Sequence, residues 1–332
     1  MDESHFLREI NAIPWEQPAG NDDYRNALLV FADWLEERGD PRAELIRLRE
    51  GLLNNPTPEQ RQLWEPRMQE LIHNGVQPVV ATWENSFGMK FCWCPPGKFM
   101  MGSPESRRER LDDEIEVSVT LTHGFWLGKY PVLQREWMQV MGTKPWEMDE
   151  LGKSGDNIPT VMVTWNDALE FGQKLTAQFP PFHPLPSDWE FTLPTEAQWE
   201  YACRAGTGTM FNFGENDDLL EDYGWYEWNT WDNEEPYIHE AGQKKSNAWG
   251  LFDVHGTVFE WCQDCYAEKL AGGVNPVGPS SNSVRVLRGG SWDSKHMECR
   301  SVCRFSQEPE RQFGDVGFRV ALVPSGQQRN IS

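Results

Sequence analysis

The chain has 332 residues, with 52 acidic against 30 Lys and Arg side chains, for a formal charge of −22. Its length allows one large domain or two ordinary ones, and 39% hydrophobic residues with 17 Trp and 17 Phe exclude wholesale disorder. The acidity argues against a dedicated binder of the nucleic-acid backbone, because like charges repel at long range.

Residues 1–80 read as a helical module. In the stretch 22–38, Leu28, Leu29, Phe31, Ala32 and Leu35 form an apolar stripe, and Asp22 and Asp23 suit a first helical turn. Gly39-Asp40-Pro41 stops that helix, and a second runs through Glu44, Leu45, Ile46 and Leu48. A break at 53–57 precedes a third stretch from Pro58 to about Asn74, and a linker is expected near 74–84. The start MDESHFLREI has no apolar signal core, and no apolar run is long enough to span a membrane. Seven sparse cysteines fit a reduced state, so the expected location is the cytoplasm.

From about residue 85 the texture becomes that of an irregular α+β domain. Short apolar runs at Phe91–Trp93, Phe125–Leu127, Val284–Leu287 and Gly317–Leu322 alternate with Gly, Pro and Asn and read as strands. Helices are expected over about 132–141, after the capping signal Thr164–Asp167, and after Thr195–Gln198. Residues 207–247 lack periodicity and are rich in Trp, Asn, Asp and Gly, which predicts long ordered loops pinned by aromatic side chains. A flexible tail is expected over 325–332.

Gly250–Trp261 is the densest segment. Asp253 and Glu260 offer oxygen ligands to a hard cation, with carbonyls near Thr257, against the alternative of a turn and a core strand. The cysteines fall as Cys92/Cys94, Cys203, Cys262/Cys265 and Cys299/Cys303. Two pairs make a four-thiolate zinc site if they meet, one pair suits Cu(I), and otherwise the thiols are small buried hydrophobes. Asp293 and His296 lie near Ser291 and Ser294, a possible polar acid–base group or simply a polar loop. Arg285, Arg288, Arg300, Arg304 and Arg319 read as structural bridges to carbonyls and carboxylates.

Several motifs together resemble the formylglycine-generating enzyme superfamily, the sulfatase-modifying-factor domains, over residues 85–324. They include Phe99–Ser103, Phe125–Pro131, Leu193–Tyr201, Asn247 with Gly250–Trp261, Arg288-Gly-Gly-Ser-Trp292, Cys299–Arg304 and Gly317–Arg319. The resemblance implies an elaborated C-type-lectin-like fold following a small N-terminal helical domain. It also implies a frequently bound calcium, for which Asn247, Asp253, Thr257 and Glu260 are the candidates, and structural roles for Trp261, Arg288, Trp292, Arg304 and Arg319. Residues 21–50, with Ala32–Asp40, resemble a small helical domain found beside repeats in planctomycete proteins.

Family members that oxidise a sulfatase cysteine hold copper with two cysteines, the first placed after Gly-Gly-Ser-aromatic-x. Here Ser294 takes that first position and Cys299 stands five residues on, so the motif leaves no copper dithiolate. The resemblance therefore implies a non-catalytic domain that binds a peptide, a protein or a small ligand, while the acidic charge and the lack of a long apolar run lead us to expect no nucleic acid or membrane partner. The alternative is a divergent metal- and oxygen-dependent oxidase of a peptide cysteine or other sulfur compound. In that case Cys299 anchors the metal or substrate, with Cys303 or Cys262 as second ligand.

Overall fold

The N-terminal helices follow their apolar spacing. They are α1 (Glu3–Glu16), α2 (Asp22–Glu36), α3 (Arg42–Leu53) and α4 (Pro58–His73). Asp22 and Asp23 sit in the first turn of α2, where negative charge opposes the positive helix end, and Leu28, Phe31, Ala32 and Leu35 are buried. At the start of α4, Gln60 N–H donates to Thr57 Oγ1 at 3.3 Å and Thr57 N–H donates to Gln60 Oε1 at 2.9 Å, a reciprocal cap with Pro58 at the first helical position. The computed structural model describes residues 2–16, 22–149, 152–178, 188–281 and 283–325. His183 and the expected tail beyond Ser325 lie outside them.

These helices are not insulated from the rest of the chain. Phe6, Ile10, Leu28 and Phe31 share one continuous core with Trp93, Trp126 and Phe191, and Trp15 stacks on Trp126 at 5.0 Å. The stretch expected as a linker is built in: Val79, Val80 and Ala81 are buried, Ala81 N–H donates to Tyr24 Oη at 3.0 Å, and Thr82–Glu84 is the first strand. A run of three small apolar residues is too short to show periodicity, so the pattern gives no sign of this.

The strands are β1 (Thr82–Glu84), β2 (Lys90–Cys94), β3 (Gly97–Met101), β4 (Val117–Leu121), β5 (Phe125–Gly128), β6 (Trp189–Thr192), β7 (Phe259–Cys265), β8 (Gly273–Val274), β9 (Arg285–Arg288), β10 (Arg304–Gln307), β11 (Val316–Phe318) and β12 (Ala321–Pro324). They form an antiparallel sheet ordered β1-β2-β5-β12-β6, a sheet ordered β10-β9-β7-β11, and a small sheet ordered β3-β4-β8. Helices α5 (Gln134–Met141), α6 (Trp165–Ala177), α7 (Glu196–Arg204) and the one-turn α8 (Glu227–Thr230) complete an α+β fold. Residues 207–247 are mostly loop, as expected, with α8 as an added turn. No helix among the described residues is long and apolar enough to cross a membrane.

Tryptophans pin the loops by hydrogen bond as well as by packing. Trp165 Nε1–H donates to Cys262 O at 2.8 Å and Trp261 Nε1–H donates to Val163 O at 3.1 Å, so two indoles clasp β7 to the entry of α6.

The fold also holds a testable pH sensor of stability. Glu136 caps α5 by accepting Leu133 N–H at 3.0 Å. Burial pushes its carboxyl up to about 7, against the smaller opposing pulls of that hydrogen bond and of Arg135. The unfolded chain releases this proton near the ordinary glutamate value, so the folded state holds the extra proton between about pH 4.5 and 7, and stability falls as pH rises through that window. Glu136→Gln keeps the cap and removes the titration. It is expected to match the parent at about pH 4, exceed it at about pH 8, and flatten the pH dependence of unfolding followed by urea titration.

Candidate functional site

The site grows from the end of β9. Gly289 and Gly290 both take positive φ, +100° and +75°. A Cβ on Gly290 would lie 2.7 Å from Cys299 Sγ, so only glycine lets the chain fold back over that thiol. The following loop, Ser291–His296, is closed on itself: Ser291 N–H donates to Ser294 Oγ at 3.0 Å, and Ser291 Oγ–H donates to Asp315 Oδ2 at 2.9 Å. Burial pushes the Asp315 carboxyl above its ordinary value, with Asp293 adding to the rise and the Ser291 hydrogen bond opposing it.

Helix α8 docks on this loop through its backbone. Glu227 N–H donates to Ser294 O at 2.9 Å and Thr230 Oγ1–H donates to Trp292 O at 2.8 Å. The docking leaves two indoles facing out. Of the 17 tryptophans, Trp228 and Trp231 are the exposed ones, at 51% and 48%. Each meets a loop residue: Trp228 lies 4.6 Å from the His296 ring, and Trp231 Nε1–H donates to Asp293 Oδ1 at 2.7 Å. His296 Nε2 in turn lies 3.3 Å from Asp217 Oδ2. The result is a shallow aromatic platform with carboxylates at its edge.

The expected polar group thus divides. Asp293 and His296 are on the surface beside the platform, whereas Ser294 is buried and serves the loop's own turn. Trp292, also buried, donates its N–H to Thr257 O at 3.1 Å. The platform itself is not foreseen by the sequence pattern. Its one signal there is the Trp-x-x-Trp spacing at 228–231, which the expectation of loop-pinning aromatics passes over.

The three cysteines named for metal or thiol chemistry are free and buried. Burial raises the thiol of Cys303 to about 11 and those of Cys262 and Cys299 well above the ordinary value. The Cys299 thiol donates to Lys295 O at 3.7 Å, and the residue at the other copper position is the inward-turned Ser294. This pair does not fit a copper dithiolate. His296–Cys299 is a single 3-10 turn ending at Cys299, so Cys299 and Cys303 share no helix face. Among the described residues, no group of three or more His, Cys, Asp or Glu side chains is arranged to hold a metal ion.

The calcium candidates are largely spent inside the fold. Asn247 Nδ2 donates to the carbonyls of Ala202 and Cys203 at 2.7 and 3.1 Å, and its Oδ1 accepts the N–H groups of Trp249 and Leu251 at 2.9 and 3.1 Å. Glu260 accepts from Arg319 Nη2 at 2.8 Å and from Trp199 Nε1 at 2.7 Å. That leaves Asp253, which accepts Gly242 N–H at 2.8 Å and is pushed up to about 6 by burial, and Thr257. Calcium takes roughly six to eight oxygens, so these side chains by themselves do not complete a site for it.

Thr257 carries a strain of its own. Its φ is +72°, a region that β-branched residues avoid. Asn tolerates that region and keeps a donor for Asp253, whose Oδ1 lies 3.5 Å from Thr257 Oγ1. Thr257→Asn is expected to stabilise the chain by about 1 kcal/mol, and Thr257→Val, which keeps the strain and loses the donor, to destabilise it by about 1–2 kcal/mol. Paired denaturant titrations read both.

The arginines take the structural roles expected of them. Arg288 is fully buried, paired with Glu200, and donates to the carbonyls of Val302 and Cys303 at 2.6 and 2.7 Å. Arg304 grips Glu196 with contacts of 2.6 and 3.0 Å, and Arg300 grips Glu114 at 2.8 and 3.0 Å. Each ties a loop segment to a helix or a distant turn.

Comparison with known proteins matches this geometry. The family model described as "Sulfatase-modifying factor enzyme 1-like domain" covers residues 76–323, a start that takes in β1. The chain is 33% identical over 208 residues to a formylglycine-generating enzyme of Streptomyces coelicolor, a match covering 56% of this chain and 60% of that enzyme. The chain therefore spans less than two thirds of that relative's length. It is 30% identical over 217 residues to the chaperone protein LppX of Paenibacillus barcinonensis, covering 54% of this chain and 72% of the relative. Among solved structures, Treponema denticola variable protein 1 superposes with a TM-score of 0.62 at 27% identity, over 75% of this chain and 100% of the other. PvdO from Pseudomonas aeruginosa gives 0.64 at 22% identity, over 74% and 99%, a likeness of fold. With its motifs, its sheets and a family match over residues 76–323 in agreement, the chain belongs to the formylglycine-generating enzyme, or sulfatase-modifying factor, family, and carries a helical subdomain N-terminal to the shared domain.

Proposed function

We propose that the chain is a non-catalytic binding member of its family, taking a peptide or protein segment on the Trp228–Trp231 platform. One observation carries the reading: the two exposed tryptophans stand together at α8, docked against the loop that would hold copper in an oxidising relative. Exposed neighbouring indoles on a fixed backbone are a typical anchor for a partner. Relatives named as an enzyme and as a chaperone share this domain, so the fold alone does not assign chemistry. Asp217, Glu227 and Asp293 border the platform, which favours a segment carrying Lys or Arg beside an apolar residue. We read the helical subdomain as the planctomycete-type companion domain and the cytoplasm as the place of action.

The test is selection of displayed peptides on the full chain, repeated on the Trp228→Ala/Trp231→Ala double variant. Basic-apolar sequences enriched by the parent alone support the reading. No enrichment, or the same enrichment on the double variant, overturns it. In parallel, the chain incubated with copper and a cysteine peptide in air is expected to form no aldehyde. Sustained turnover there would establish the oxidase instead.

A further inference from the structure

His296 joins an indole of the platform to one of its acids. Its ring stands 4.6 Å from the Trp228 ring, and its Nε2 lies 3.3 Å from Asp217 Oδ2. The imidazole is mostly buried, and its Nδ1 has no hydrogen-bond partner among the described residues. No carbonyl or N–H group therefore fixes that nitrogen as donor or as acceptor, and the ring is free to change charge in place.

The surroundings decide what that change does. Asp217, Asp218 and Glu221 come from the turn Asp217–Asp222, Glu227 from the first position of α8, and Asp293 and Glu298 from the segment that carries His296. Tyr226, whose ring is 6.1 Å from Trp228, stays neutral, since burial raises its hydroxyl above the ordinary value and Glu221, Asp217 and Asp218 add to the rise. Cations are scarce. Residues 205–243, which carry both tryptophans, contain no Lys or Arg, and the loop Ser291–His296 has Lys295 alone. A proton on His296 thus places a new positive charge beside Trp228 and cancels the charge of Asp217.

Resting on the platform reading above, we propose that His296 is a pH switch on the platform. Neutral, it leaves the acidic rim open to a segment carrying Lys or Arg. Protonated, it repels that segment and occupies Asp217. Histidine is the side chain that ordinarily changes charge between about pH 5 and 8, so binding weakens as pH falls through that range.

Displayed peptides captured by the full chain at pH 8, and free of His, Asp and Glu, test it. A labelled copy is titrated by fluorescence anisotropy from about pH 8 to 5.5. The parent is expected to bind about fivefold more weakly at the lower pH. His296→Gln keeps a donor for Asp217 and cannot charge, so its ratio of Kd values across the range is expected to be near one. Asp217→Asn leaves the imidazole but removes its carboxylate, and is expected to move the midpoint of the weakening to lower pH. A parent ratio near one or inverted, the same weakening in His296→Gln, or an unmoved midpoint in Asp217→Asn overturns the switch and leaves the platform standing. Failure to capture any peptide at pH 8, or equal capture by the Trp228→Ala/Trp231→Ala variant, removes the platform and the switch with it.

Discussion

Arg319→Met is expected to cost about 3–5 kcal/mol of stability, the largest effect of any single substitution considered for this chain. Arg319 is completely buried between β11 and β12. It donates to Glu260 at 2.8 Å, to Gly128 O at 2.8 Å and to Phe252 O at 2.8 Å. One guanidinium thus joins β7, the end of β5 and the Gly250–Trp261 segment. Methionine fills most of the volume but leaves Glu260 charged and unpaired in the core, along with two carbonyls. Lysine does little better, since its ammonium group cannot reproduce the planar fork. Arg319→Met/Glu260→Met, which removes both charges, is expected to recover part of the loss, leaving Trp199 Nε1–H and the carbonyls unpaired. Denaturant titration of the parent, both single variants and the double variant measures the coupling. The same series addresses calcium: with Glu260 held by Arg319, added calcium is expected to leave the parent's midpoint unchanged. A calcium-dependent rise that vanishes in Glu260→Met would show that the cation does compete for this carboxylate.

Trp228→Ala and Trp231→Ala are each expected to weaken a selected platform peptide by about 2 kcal/mol, roughly 30-fold in Kd, and together to abolish measurable binding. Neither indole supports the core, since both are about half exposed, so melting temperature should hardly change. The two sites differ in kind. Trp231 donates to Asp293, so Trp231→Phe keeps an aromatic face but frees that carboxylate, whereas Trp228→Phe keeps the packing against His296. Trp228→Phe is therefore expected to retain most of the affinity and Trp231→Phe to lose more of it. Fluorescence anisotropy of a labelled peptide reads all five variants. A double variant that binds as tightly as the parent would place the site elsewhere.

Much of the architecture is legible in the amino-acid sequence. The helix at 22–36 announces itself by an apolar stripe and an acidic first turn, that at 58–73 by Pro58 after a break, and those at 165–177 and 196–204 by capping signals at their first turns. The structural arginines are legible too, because a guanidinium amid strands and glycines has few roles other than bridging. The tryptophan platform is not. Trp228 and Trp231 sit in a stretch without periodicity, and the letter W says nothing about whether an indole faces core or solvent. Burial is decided by what packs over a residue, and here the neighbours of α8 come from about 65 residues later in the chain, at Trp292–Ser294.

The sequence by itself therefore determined the family, the α+β class and the absence of a second thiol at Ser294, because those depend on residue types at fixed spacings. Tertiary structure alone decided which groups are free to act. Asn247, Glu260 and the cysteines carry the right atoms for metal chemistry, yet partners distant in sequence or simple burial commit those atoms to the fold. A ligating atom counts only when its lone pairs and charge are not already satisfied, and that is a property of the folded neighbourhood rather than of the residue.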